Sequence, residues 1–80
     1  MSDNKKTINL CGLSIPDRAK IKIISGTIIN FACVRYIDEY HFEMSNHRGE
    51  FNTLGSRVWH IAEYEMFCKD FDTKIEVCDD

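Results

Sequence analysis

The sequence predicts an α+β fold: an antiparallel β-sheet of about four to five strands packed by one C-terminal helix near residues 57–70. Three observations lead there. Isoleucine occurs ten times, whereas leucine and alanine occur three times each, and branching at Cβ suits a pleated surface better than a helix. "AKIKIISG" and "TKIEV" alternate apolar and polar residues with the period of a strand that has one wet face. The run "GSRVWHIAEYEMFCKDFD", residues 55–72, instead carries Ile61, Tyr64, Cys68 and Phe71 at helical spacing, with Phe67 at the edge of the stripe.

Taken in order, "LSIPDR" holds the only proline. Ser14 with Asp17 three residues on suits the cap of a single helical turn, and an irregular lead-in to the first strand is the alternative. Lys20 to Ile24 form a strand closed by Gly26, and "TIINFACVRYI" forms the next, with Ile29, Phe31 and Cys33 on one side. Asp38 and Glu39 offer a turn. "YHFEM" then sets Tyr40, Phe42 and Met44 on one face and His41 and Glu43 on a wet one. "SNHRGEF" reads as a hairpin loop leading to a short strand around Phe51. Ser56 is the expected N-cap of the helix, followed by the good helix formers Ala62, Glu63, Glu65, Met66 and Lys69. "TKIEV" closes the sheet. The competing architecture is a small all-β SH3-like barrel, with a strand at "RVWHI" and a tight turn at "AEYE".

Eighty residues are read as one domain, 1–80, with residues 1–7 and 78–80 expected to fray. Hydrophobic residues at 44% and charged residues at 29% argue against disorder, and a formal charge of −3 disfavours a phosphate backbone as partner. Neither a signal-like apolar run nor a membrane-length segment occurs, so a soluble, cytoplasmic protein is expected, with no membrane partner. The four cysteines show no CxxC spacing and are read as free thiols in a reducing compartment.

Phosphate-binding glycine loops, nucleophile elbows and HExxH are absent, and the chain is read as not an enzyme. A cysteine with His41, His47 or His60 makes a nucleophile pair of no specific spacing, and buried structural cysteine is the simpler reading. Cys68 and Cys78 with His60 or His47 are the best zinc set available, but no short-spaced ligand pair supports it, so no metal and no cofactor are expected. Asp38, Glu39 and Glu43 are read as solvated acids.

The remaining expectation is recognition without chemistry: a small regulatory or inhibitory protein that binds a larger protein partner. Nine aromatics exceed what one thin core buries; Trp59, Tyr64, Tyr36, Tyr40, Phe67 and Met66 are residue types that anchor interfaces, and of these Trp59, Tyr64, Met66, Tyr36 and Tyr40, with Glu63 beside them, are the expected partner-binding residues. Abundant Ile, Lys and Asn give the compositional look of a phage- or mobile-element-type accessory protein. A homodimer burying Trp59 is a further option. The second hypothesis is an RNA- or DNA-binding sheet or barrel using Lys20, Lys22, His47 and Arg48, and the third is a small metal-binding or enzymatic module.

Overall fold

A computed structural model describes residues 6–78. In chain order the elements are β1 (Thr7–Leu10), β2 (Leu13–Pro16), β3 (Lys20–Ser25), β4 (Ile28–Tyr36), β5 (His41–Met44), β6 (Arg57–His60), α1 (Ile61–Asp70) and β7 (Thr73–Val77). β1 and β2 make a separate two-stranded hairpin, and the other five strands form an antiparallel sheet in the order β6-β5-β4-β3-β7. The α+β expectation is met. The sheet does not close, so the barrel alternative is not the architecture adopted.

Register assigns the two faces, because residues directly opposite in neighbouring strands share a side. Ile21 stands opposite Ala32 and Val77, Val34 opposite Met44, and Tyr36 opposite Phe42, which in turn faces Trp59. These residues define the inner face. Helix α1 covers it with Tyr64 and Cys68, and the β1–β2 hairpin covers it with Ile8, Leu10 and Ile15, completing one core cluster. Helix α1 leaves the end of β6 and delivers the chain to the start of β7, so it crosses the sheet from one edge strand to the other.

The helix begins four residues later than the chain spacing suggests. Its N-cap is His60 rather than Ser56: the backbone there is extended, and the imidazole Nδ1 accepts from the amide of Ala62 at 3.1 Å. Residues 57–60 pair with β5 instead, because alternation of Val58 and Trp59 serves a strand as well as the spacing of 61–71 serves a helix. Ser56 is used elsewhere, by Glu43. The strand at "RVWHI" is thus real up to His60, although the tight turn at "AEYE" lies within the helix.

"LSIP" is neither a helical turn nor an irregular lead-in. It pairs with β1 across Cys11 and Gly12, both at positive φ (52° and 77°), as a two-residue hairpin of this hand requires. No strand forms at Phe51. Residues 45–56 are a long connection, and Phe51 lies beneath the guanidinium groups of Arg18 and Arg35, at 5.7 and 5.5 Å. Thr7, expected to fray, pairs with Pro16, and the amide of Cys78 donates to the carbonyl of Lys20 at 2.9 Å. Lys6, also expected to fray, accepts from the amide of Asp17 through its carbonyl, and the remaining residues of that expectation, 1–5 and 79–80, lie outside the described residues.

Candidate docking surface

The outer face of the sheet divides in two. Around Glu43 of β5 it is closed by the 45–56 connection, although Val58 and His60 of β6 stay exposed, and this corrects the reading of Glu43 as a wet acid: Glu43 is 2% exposed. Its carboxylate pairs with Arg35 and accepts from the amide of Asn52 at 2.6 Å and the hydroxyl of Ser56 at 2.7 Å. Burial by itself would push this carboxyl up, but the donors from Ser56, Asn52 and Arg35 outweigh it and hold it below the usual carboxylate range. Cys33 is covered by the same connection, with its Sγ 3.7 Å from the carbonyl of His47. Over β3, β7 and the first half of β4 the outer face is open. There Phe31, 46% exposed, faces Lys22, and Ile29 faces Ile24 and through it Lys74.

On the inner face the aromatic side chains form a graded row. Phe42 and Tyr64 are buried and meet edge to face at 5.6 Å, and Trp59 meets Tyr64 in the same way at 4.9 Å. Phe67 touches Trp59 at 5.8 Å and Phe71 at 4.8 Å, and exposure rises along the row to 62% at Phe71. Helix geometry explains the grading. Tyr64 and Cys68, one turn apart, point into the core, Phe67 projects to one flank, and Glu65 projects to the other, where its carboxylate accepts from the amide of Cys11 at 2.8 Å. The hairpin therefore shields one flank of α1 and leaves the Phe67 flank uncovered. Arg57 closes the row at its other end, stacked 3.9 Å over the Trp59 ring and 3.8 Å from Glu63.

The six residues expected to bind a partner do not form one patch. Trp59 is half-buried, Glu63 is exposed beside Arg57, and Met66 is exposed on the solvent side of the helix, about 100° round from Phe67. Tyr64 is core, at 2% exposure, and cannot serve as a free anchor; its phenol is pushed above its ordinary range by burial first and by the neighbouring Cys68 and Cys11 thiols second. Tyr36 lies on the inner face by the hairpin, half-buried under the Lys6 ammonium at 5.2 Å. Tyr40 is exposed in the β4–β5 turn and stacks on His60 at 6.2 Å, away from the row. Phe67, expected as an interface-anchoring residue type, is joined there by Phe71 and Arg57, which were not expected. The signal for Phe71 was its four-residue step from Phe67.

The four residues considered for nucleic acid do gather. Lys20 and Lys22 share the open outer face, and Lys20 faces Cys33, over which the loop carrying His47 and Arg48 is folded. Lys74 and Phe31 join them there.

Asp38 binds His41 Nδ1 at 2.9 Å and accepts from the amide of Tyr40 at 2.8 Å, which keeps its carboxyl below the usual range, with His41 the larger cause. His41 and His60 meet edge to face at 5.0 Å on the outer face. Among the described residues, no three of His, Cys, Asp and Glu are grouped to hold a metal ion, and no helix is long and apolar enough to cross a membrane. Comparison of the chain with family models, curated proteins and solved structures gives no match.

Proposed function

We propose that this protein is a non-enzymatic binding module that docks on a larger protein through the Trp59–Phe67–Phe71 row, acting as a small regulatory or inhibitory chain of the phage or mobile-element accessory type. The observation that carries the reading is the graded row. Its inner rings are locked by Tyr64 and Phe42, and its outer rings present apolar area at low entropic cost on a helix already held by the sheet. Such preorganised aromatics are the residue types that dominate interface energetics. Glu63, Asp70 and Asp72 along and just beyond α1 favour a partner with a basic rim.

The test compares immobilised wild-type protein with Phe71→Ser in lysate of the source cells. A stoichiometric protein retained by the wild type and lost by the variant supports docking through this row, and equal retention by both refutes it.

A second reading is binding of single-stranded nucleic acid on the open outer face. It is favoured by one observation: Lys22 stands opposite the exposed Phe31 ring, with Lys20 two residues along the same face and Lys74 on the neighbouring strand beside Glu76, which faces Lys22, so that a stacking platform has lysines close by on a chain of net charge −3. Fluorescence anisotropy with a labelled single-stranded oligonucleotide separates the two readings. Salt-sensitive binding that Phe31→Ser and Lys22→Glu each weaken supports the second, and no binding at low salt removes it.

A further inference from the structure

We propose that Cys11 and Cys68 are a disulfide-forming pair that clasps the β1–β2 hairpin to helix α1 when the protein meets a disulfide oxidant such as oxidised glutathione. The site is independent of what docks on the aromatic row. In sequence the two residues are 57 positions apart (68 − 11), with nothing in their spacing to link them. In the fold they line one open cavity together with Glu65 and Lys69. The two thiols are close enough to perturb each other's proton affinity, and the Tyr64 hydroxyl acts on Cys68 in the same way. The 2.8 Å bond from the Cys11 amide to Glu65 Oε2 holds the hairpin turn against the helix three residues before Cys68.

Two further features fit a designed pair. Cys11 occupies the first central position of the hairpin turn at φ 52°, a left-handed conformation that Asn, Asp or Gly fill more easily. A thiol is held there at conformational cost. Burial pushes both thiols above their ordinary range, Cys68 to about 11, and outweighs the neighbours that favour each thiolate, Cys68 for Cys11 and Tyr64 for Cys68. Dithiols whose reduced form is not stabilised in this way give stable, reducing disulfides, whereas a stabilised thiolate gives a strong oxidant.

Exposure assigns the order of events. The exposed Cys11, as its thiolate, attacks one sulfur of oxidised glutathione, forming a mixed disulfide and expelling one glutathione thiolate. Cys68, buried beneath it, loses its proton to solvent, attacks the Cys11 sulfur and expels the second glutathione thiolate. The two protein thiols lose two electrons and two protons, and the oxidant is reduced to two molecules of glutathione.

The test treats the whole chain with oxidised glutathione, caps remaining thiols with N-ethylmaleimide and maps the peptides by mass spectrometry. A monomer carrying a Cys11–Cys68 linked peptide, with Cys33 and Cys78 capped, is expected. Because the bond closes a long loop, the melting temperature should rise by roughly 10 °C and fall back on reduction. Cys11→Ser, which alters an exposed side chain and leaves the core intact, should abolish both the link and the rise; the Cys33→Ser/Cys78→Ser double variant should keep them. A persistent glutathione adduct on Cys11 with Cys68 free, or a Cys11–Cys11 dimer in place of the linked monomer, overturns the proposal.

Discussion

The Ser56 hydroxyl donates to Glu43 Oε2 at 2.7 Å, tying the end of the 45–56 connection to a carboxylate that is buried on the outer face of the sheet. Three donors converge on this one side chain. Glu43→Ala strands the Arg35 guanidinium, the Asn52 amide and the Ser56 hydroxyl together, and should cost roughly 3 kcal/mol. Denaturant unfolding checks it, and a loss below about 1 kcal/mol would show that the connection does not depend on Glu43.

The same residue sets a pH dependence. Its carboxyl is held below the ordinary value in the folded state, so the stability it contributes is fully present above the unfolded value of about 4.3 and is lost as pH falls through the lower, folded value. Asp38 is shifted in the same direction. Melting temperature should therefore be level from neutral pH down to about 5 and fall in the acid range, with a shallower fall in Glu43→Gln.

Tyr64 separates core from surface. Its ring contacts Phe42, Trp59 and Phe67, so Tyr64→Ala should cost about 3–5 kcal/mol and Phe71→Ser no more than about 1 kcal/mol. Chemical denaturation of the two variants side by side checks the ordering; similar losses would mean that Phe71 is part of the core.

His60 caps α1 through Nδ1. His60→Ala should lose about 1 kcal/mol, and His60→Asn or His60→Ser should recover most of it, because each restores an acceptor for the Ala62 amide. Far-ultraviolet circular dichroism during thermal melts reports the loss and the rescue. Failure of both polar replacements would place the role of His60 in its contacts with His41 and Tyr40 instead.

Local pattern made much of this fold legible. Alternation through Lys20 to Ile24 and Thr73 to Val77 marks two strands that pair with each other, and the spacing of Ile61, Tyr64 and Cys68 marks the buried side of the helix. The start of α1 was not legible, because residues 57–60 satisfy both periods and only pairing with β5 decides between them. Alternation also placed Glu43 correctly, opposite in direction to Phe42. It gave no means of knowing that a connection beginning two residues later would bury that face.

The binding surface was legible in part for a related reason. Trp59 and Tyr64 are equally attractive anchors by residue type, but the crossing of α1 over the inner face buries Tyr64 and leaves Phe67 and Phe71 at the uncovered flank. The meeting of Cys11 with Cys68 depends on where the hairpin docks, and no local spacing encodes that.

The most direct test of docking through the aromatic row is quantitative capture with wild-type protein and Phe71→Ser, after both have been shown to melt within a few degrees of each other. The wild type should retain a protein at near one-to-one ratio, and Phe71→Ser at least roughly tenfold less. Equal retention by the two, or recovery only of nucleic acid that salt releases, would contradict it.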